Sequence, residues 1–325
     1  MNPILEWGIN LIVWLQANLS WLRGPMQLLS FLGNEEFFML LLPFLYWCVD
    51  VRLGARVGAI LCISSNFKDF FKLAFHTPRP YWVSSQVQAM SSETSYGLPS
   101  GHAQIATSIW GLVAVASRGL LRWVSAALIF LIGLSRVLLA VHFPTDVLLG
   151  WLIGGLVLWA FLRWEAPVLG WVNRHTLTQK IGLAFAASLL LVGIGLAGLL
   201  FVPPADPPEW ARMAAQAYPP PAGEPAIDPR DVGGSVGVAG AFFGIMAGLV
   251  LLLHQTHFDT RGVWWKRLLR FVVGAAGVAI LWMGLRIVLP RDASLFAQVL
   301  RYLRYAVTGF WIGYGAPWLF IKLKL

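Results

Sequence analysis

This chain is poor in charge. Only 12% of its 325 residues are Asp, Glu, Lys or Arg, and 58% are hydrophobic; a soluble domain carries roughly 25% charged residues, so a water-soluble fold is a poor reading. There are two cysteines, Cys48 and Cys62, both in apolar stretches. That excludes a disulfide framework and marks them as small buried hydrophobes. Carboxylates never gather into a set suited to Mg²⁺. Basic residues exceed acidic ones by nine, yet they lie scattered in short clusters between apolar segments. A nucleic-acid partner would want a basic face or stripe, and none is present. The N-terminus lacks the basic n-region and small-residue cleavage site of a signal peptide.

Long apolar runs fill the space that charge leaves. Residues 181–202 and 232–253 each hold 22 residues without a charge, and about 20 suffice to cross a bilayer as helix. The expected fold is all-α, a polytopic transmembrane helical bundle. Nine spans are read at about 36–51, 56–75, 101–117, 121–141, 145–162, 181–202, 232–254, 268–289 and 302–321. Before them, 4–15 carries Glu6, Trp7, Asn10 and Trp14 within an apolar helical pattern, which reads as an interfacial helix, with a short first span as the alternative. Small residues recur at four-residue spacing in Gly150/Gly154, Gly233/Gly237, Gly240/Gly244 and Gly309/Gly313, a signal for close helix packing.

Positive charge orients the bundle. One set of loops holds 13 of the 24 basic residues, from Arg52 and Arg56 through Arg118, Arg122, Arg163, Arg174 and Lys180 to Lys322 and Lys324. That set is expected on the cytoplasmic side. The opposite set includes Arg291 and the Pro-rich, acidic loop 203–231, expected to be partly disordered. His254 and His257, three apart at a span end, lack the further ligands of a metal site.

Three short polar segments interrupt the apolar pattern, and the charge-derived topology puts all of them on the non-cytoplasmic side. The first runs from Lys72 to Arg79 and Pro80, the second is Pro99-Ser100-Gly101-His102, and the third runs from Ser135-Arg136 to His142 and Asp146. Lys72, Arg79 and Arg136 are fixed cations, each costing roughly 2.5–3.5 kcal/mol inside a bilayer. With Asp146 the one carboxylate in these segments, a bound multivalent anion explains them best. Guanidinium forks match phosphate oxygens, and Lys acts as a point charge. Ser100 is placed to cap a helix whose first-turn amides favour an anion, with Gly101 allowing close approach. His142 and Asp146, four apart around Pro144, suit a His–carboxylate pair that fixes the imidazole tautomer.

Taken together, the segments resemble the type-2 phosphatidic acid phosphatase family, whose pattern is Lys-x6-Arg-Pro, Pro-Ser-Gly-His and Ser-Arg-x5-His-x3-Asp. All eleven specified positions are filled in order. The resemblance covers roughly residues 25–165. It implies that His142 attacks phosphorus to form a phosphohistidine and that Asp146 orients His142. His102 would protonate the leaving group and then activate water, while Lys72, Arg79, Arg136, Ser100 and the Gly101 amide hold the phosphoryl oxygens. Metal-independent activity with no cofactor is expected. Vanadium haloperoxidases share this type of motif, but they are soluble.

The expected organisation is a phosphatase core at 1–170 and an additional four-span membrane region at 171–325. The expected substrate is a lipid phosphate or pyrophosphate of the phosphatidate, phosphatidylglycerophosphate or polyprenyl pyrophosphate type. Phosphotransfer to another lipid, and lipid transport or scrambling that uses the phosphate site for binding, are the alternatives. Partners expected are the substrate and membrane lipids, with no nucleic acid; dimerisation is one role open to the C-terminal spans. The cell (inner) membrane is the expected location, with the active site on its extracytoplasmic face. The loop 81–98, polar and with Glu93 its one charged residue, is expected to act as a lid or specificity loop.

Overall fold

The computed structural model describes residues 3–256, 258–290 and 292–325, the side chains of Glu35 and Glu36 excepted. His257 and Arg291 lie outside the described residues. Among the described residues there are helices and connecting segments, and no strand. The chain order begins with α1 (Pro3–Leu19), α2 (Arg23–Phe31), α3 (Glu35–Phe44), α4 (Val51–Phe75) and α5 (Pro80–Val83). It continues with α6 (Gly101–Ala116), α7 (Leu120–Leu138), α8 (Pro144–Val172), α9 (Leu177–Ala197) and α10 (Pro208–Ala217). The last five are α11 (Gly233–Gln255), α12 (Trp264–Ala279), α13 (Leu285–Val288), α14 (Leu295–Phe310) and α15 (Ala316–Lys322).

Five helices are long and apolar enough to cross a membrane: Leu120–Leu138, Pro144–Val172, Leu177–Phe201, Gly233–Gln255 and Trp264–Val288. No more than 50% of any of their apolar windows is buried, so these helices turn Leu and Trp outward, as a lipid solvent permits and water does not. The protein is an all-α polytopic helical protein. Each of the other expected spans is also helical. The first is α3 running into a π-helical turn at Leu45–Val49, and the third, α6, has only 16 residues.

Met1–Asn34, Phe67–Trp159 and Leu196–Asp231 form one compact unit. Within it α1 buries Ile9 and Ile12 while Trp7 and Trp14 stay exposed. Gly150 and Gly154 let α8 approach α6 so closely that a Cβ would stand 2.7 Å from the Ser100 carbonyl and 2.4 Å from that of Gln104. That is the close packing their spacing implies. The loop 203–231 is more ordered than its composition suggests. It contains α10, whose Trp210 packs at a tilt against Trp82 of α5 (ring centroids 6.0 Å apart), and Arg230 grips the Asp206 carboxylate with Nε and Nη2 at 3.2 and 3.1 Å.

Glu35–Asn66, Ala160–Gly195 and Val232–Leu325 form a second compact unit. Its core gathers Tyr46, Trp47, Ile245, Leu252, Ile312 and Phe320. A π-helical turn at Trp311–Gly315 interrupts the regular backbone ladder, and two of its carbonyls take side-chain donors. Tyr46 Oη donates to Gly313 O and Trp47 Nε1 to Ile312 O, each at 3.0 Å. Gly240 and Gly244 of α11 press on the backbone of α14, and Gly309 presses back on the Ala241 carbonyl.

Candidate active site

Lys72 lies in the last turn of α4. The helix ends at Phe75, His76 takes a positive φ of 38°, and the chain reaches Arg79, with Pro80 opening α5. Arg79 is fully buried, and its guanidinium ties three segments together. Nε donates to Ser95 O at 2.6 Å and Nη2 to Tyr96 O at 3.1 Å. Nη1 donates to Val141 O at 2.8 Å and meets His142 Nε2 at 3.1 Å. Lys72 Nζ donates to the same Tyr96 carbonyl.

Ser100 caps α6, its side chain accepting from Ala103 N, as its place before the helix implies. Its own N–H donates to the Asp146 carbonyl at 2.9 Å, joining the second segment to the third. Gly101 opens α6 against the Lys68 stem, whose Cδ would lie 2.7 Å from an added Cβ. His102 follows, with Nε2 2.6 Å from Asn34 Oδ1 and Nδ1 3.9 Å from Glu93 Oε1.

The third segment begins in the last turn of α7, where Arg136 sits. Ala140, in the left-handed region at φ 62°, turns the chain so that the Val141 and His142 amides both reach back to Arg136 O. A non-glycine residue held there is strained, and such residues gather at functional sites. Pro144 then starts α8, with Asp146 in its first turn. Asp146 Oδ2 accepts from Phe143 N at 2.9 Å and lies 3.2 Å from His142 Nδ1.

These contacts assign the imidazole proton. A guanidinium has only donors, so His142 Nε2, facing Arg79 Nη1, is the acceptor. The proton therefore sits on Nδ1 and is donated to Asp146. His142 is almost wholly buried. Burial first, then the positive charges of Arg79, Lys72 and Arg136, hold its pKa well below the ordinary imidazole value. The result is a neutral ring with an in-plane lone pair on Nε2, aimed into a cluster of cations.

Arg136 donates through Nη1 to Ser30 Oγ and through Nη2 to Glu93 Oε1. Its Nε is buried and has no partner among the described residues, a donor left over for another oxygen. Glu93 is the centre of the arrangement. Its carboxylate meets Arg136, Arg79 (Nη2 to Oε2, 3.8 Å) and His102. Tyr81 Oη clamps its backbone, donating to Glu93 O at 2.9 Å and accepting from Glu93 N at 3.0 Å. Burial pushes the Glu93 carboxyl up, but Arg136, Arg79, His102 and Lys72 together outweigh it and hold the group well below the usual carboxylate range.

Of the residues singled out from sequence, Lys72, Arg79, Ser100, His102, Arg136, His142 and Asp146 are brought together, with Gly101 in the first turn beside Lys68. Sequence reasoning counted one carboxylate for three cations; Glu93 is a second. Its signal was there, as the one charged residue of the 18 in 81–98. Asn34 and Ser30 carried no signal. Nor did Tyr96, whose hydroxyl donates to Asp206 Oδ1 at 2.7 Å while its carbonyl takes both Lys72 and Arg79.

Residues 53–168 match the family model of the PAP2 superfamily, and residues 236–325 match that of the PAP2 superfamily phosphatase transmembrane extension. The chain is 29% identical over 271 residues to glucose-6-phosphatase 3 of Bos taurus, covering 73% of this chain and 75% of that protein. It is 27% identical over 175 residues to sphingosine-1-phosphate phosphatase 1 of Mus musculus, covering 51% of this chain and 38% of that protein. Among solved structures, the crystal structure of Aquifex aeolicus LpxE covers 48% of this chain and 92% of that one, at 24% identity and a TM-score of 0.41.

Proposed function

The chain belongs to the PAP2 superfamily of phosphatases and is a multi-pass membrane protein with that superfamily's transmembrane extension, and from this premise we propose that it hydrolyses the phosphomonoester or pyrophosphate of a lipid through a phosphohistidine on His142. The observation that carries the reading is the polarity of His142: Nδ1–H toward Asp146 at 3.2 Å, and Nε2 with its lone pair toward Arg79 at 3.1 Å. That is the tautomer an Nε2 nucleophile needs.

In the first step Nε2 attacks phosphorus, the P–N bond forms and the P–O bond to the leaving group breaks. His102, which takes up a proton on Nδ1 with the anionic substrate, gives it to the leaving oxygen, while its Nε2–H stays on Asn34. In the second step His102 takes a proton from water, whose oxygen attacks phosphorus. The P–N bond breaks, and inorganic phosphate and neutral His142 are restored. Asp146 supports the positive charge that the ring carries between the steps. Lys72, Arg79, Arg136, Ser100 and the Gly101 amide neutralise the equatorial oxygens, the main demand of phosphoryl transfer.

The arrangement described is a resting one. Glu93 holds two of the arginines that the phosphoryl oxygens would need, and Arg79 Nη1 covers the attacking nitrogen. Substrate binding would turn Arg79 from Nε2 to a phosphoryl oxygen and displace Glu93 from Arg136, freeing a bidentate fork. The loop 81–98 thereby acts as a lid with a carboxylate at its tip. The chemistry is assigned to 1–170, and 171–325 supports it, since Asp206 of the loop 203–231 holds Tyr96. The site is assigned to the extracytoplasmic face of a cell membrane by the distribution of basic loops.

A lipid substrate is favoured by the membrane-embedded chain and by similarity to a sphingosine-1-phosphate phosphatase. A second reading, a water-soluble sugar phosphate, is favoured by the match to glucose-6-phosphatase 3, which covers about three quarters of both chains. The test is phosphate release by purified wild type and His142→Ala, with EDTA present, over lipid phosphates, lipid pyrophosphates and hexose phosphates. Release by wild type alone, with an acid-labile phosphoprotein trapped on rapid quench, is expected. Equal release by both proteins would sink the histidine mechanism, and a preference for hexose phosphates would replace the lipid reading.

A further inference from the structure

The second compact unit contains a cavity of about 190 Å³ to which no step above assigns a role. Arg286, Arg301 and Arg304 line it with Trp282 and Tyr305, and Leu289 and Pro290 complete the wall. No carboxylate is among its described lining residues. Arg301 and Arg304 are three apart on α14, which puts like charges on one helix face, where they repel. Two aromatic rings brace the arginines: the Arg304 guanidinium lies 5.1 Å from the Tyr305 ring centre and that of Arg286 lies 6.0 Å from Trp282.

The donor inventory points to what completes the cavity. Arg304 Nε and Trp282 Nε1 are both buried and make no hydrogen bond among the described residues. Arg and Trp side chains offer only donors. Two donors without an acceptor, set in a wall that three guanidiniums line, call for an acceptor with several oxygens and negative charge. Phosphate meets that demand, since it accepts bidentate guanidinium forks. The neighbouring surface adds the rest of the ligand. Ile287, Val288, Leu295, Phe296 and Leu303 are all at least 50% exposed, an apolar skirt suited to acyl chains, and Trp and Tyr are residues that settle at headgroup level.

We infer that this cavity binds the phosphate of an anionic phospholipid headgroup through Arg286, Arg301 and Arg304, with the acyl chains lying on the exposed apolar residues of α13 and α14. None of its residues belongs to the catalytic cluster, so the inference stands whatever the substrate is.

The test uses the purified full-length protein in a non-ionic detergent and reads the melting temperature. Wild type and an Arg301→Gln/Arg304→Gln variant are titrated with short-chain phosphatidylglycerol, short-chain phosphatidylcholine and inorganic phosphate. Phosphatidylglycerol is a phosphodiester and therefore no substrate for a phosphomonoesterase. The expected result is a rise in wild type with phosphatidylglycerol and not with phosphatidylcholine, whose midpoint moves at least about tenfold higher in the variant. A variant-sensitive rise with inorganic phosphate alone would keep the site and make free phosphate its ligand. No rise in wild type, or equal midpoints in both proteins, overturns the inference. If the double variant does not fold, Arg304→Lys, which keeps the charge and loses the fork, is titrated instead; a midpoint several-fold higher supports the site, and an unchanged one refutes it.

Discussion

Lys72, Arg79 and Arg136 in the first compact unit and Arg286, Arg301 and Arg304 in the second are both triplets of fixed cations in an apolar protein, and they differ in the carboxylates that line the space they face. Glu93 bridges Arg136 and approaches Arg79, and Asp146 stands behind His142. The described lining of the second cavity has none. A buried donor left without an acceptor is costly, and Arg136 Nε at the first triplet and Arg304 Nε and Trp282 Nε1 at the second are such donors among the described residues, so each triplet has room for an anion. An enzyme site must survive being empty between turnovers, and Glu93 supplies the anion during that interval. A site filled by a resident lipid needs no such stand-in. The difference therefore separates a place where an anion is exchanged from one where an anion stays.

The most drastic way to break the comparison is to remove the exchange chemistry. His142→Ala is expected to lower kcat on the order of 10⁴-fold or more, because the displacement loses its nucleophile. The phosphatidylglycerol-induced melting shift should stay as it is in wild type. The pH profile sharpens the same point. Since burial and the surrounding cations lower the His142 pKa, the ring stays neutral and nucleophilic as pH falls through the ordinary imidazole range near 6.5. The acid limb of kcat/KM that reports this nucleophile should accordingly lie below that range. A limb that titrates His142 at or above it would show that the cations do not act on the ring as described.

Glu93→Gln removes the stand-in, and its two effects should have opposite signs. The substrate phosphate no longer competes with a carboxylate for Arg136, so KM should fall, about tenfold for one charge-assisted contact. The empty protein loses an internal counter-ion and should be destabilised by about 2 kcal/mol, a value kept below that of a fully buried pair because Glu93 is partly exposed. Saturating inorganic phosphate should restore much of that loss. The wild-type contribution has a definite pH window. The Glu93 pKa is depressed in the folded protein, so its stabilisation is present above the unfolded carboxylate value and fades as pH falls toward the folded one. A variant with a raised KM would mean that Glu93 helps to bind substrate rather than holding its place.

How much of this was legible in the sequence depended on spacing. Lys72, Arg79, His102, Arg136, His142 and Asp146 sit at helix ends in a fixed pattern, and helix ends can be found from apolar periodicity and turn residues. Helical spans were legible for the same reason, since lipid demands long apolar runs. Glycines at four-residue spacing announced close helix contacts, and Gly150, Gly154, Gly240 and Gly244 make them. Glu93 was visible as a lone charge, but its contact with Arg136 spans 43 residues and depends on how an irregular loop folds back. Asn34 and Asp206 reach their partners across 68 and 110 residues, and no local pattern encodes such pairings. Composition misjudged the loop 203–231, because α10 and the Asp206–Arg230 pair supply order that a count of Pro and acidic residues does not register.

The smallest expected effect tests that last element. Tyr96 is a strut: its carbonyl accepts from Lys72 and Arg79, and its hydroxyl is held by Asp206, which Arg230 grips in turn. Burial, and then the hydrogen bond to Asp206, raise the tyrosine pKa, so the group remains a hydroxyl donor throughout the working pH range. Tyr96→Phe keeps the carbonyl and the ring and removes only the tether. If the tether sets the aim of Arg79, a small displacement of the guanidinium weakens transition-state neutralisation more than ground-state binding. kcat should then fall by roughly threefold to tenfold with KM little changed, and Asp206→Asn, which keeps an acceptor for the hydroxyl but loses charge toward Arg230, should show a smaller drop of the same kind. Because Arg79 also contacts His142 Nε2, the acid limb of the pH profile should move in Tyr96→Phe, which a merely structural role would not produce. Wild-type kcat and an unmoved limb in Tyr96→Phe would mean that the Ser95 and Val141 carbonyls alone fix Arg79, and that the loop 203–231 touches the site without steering it.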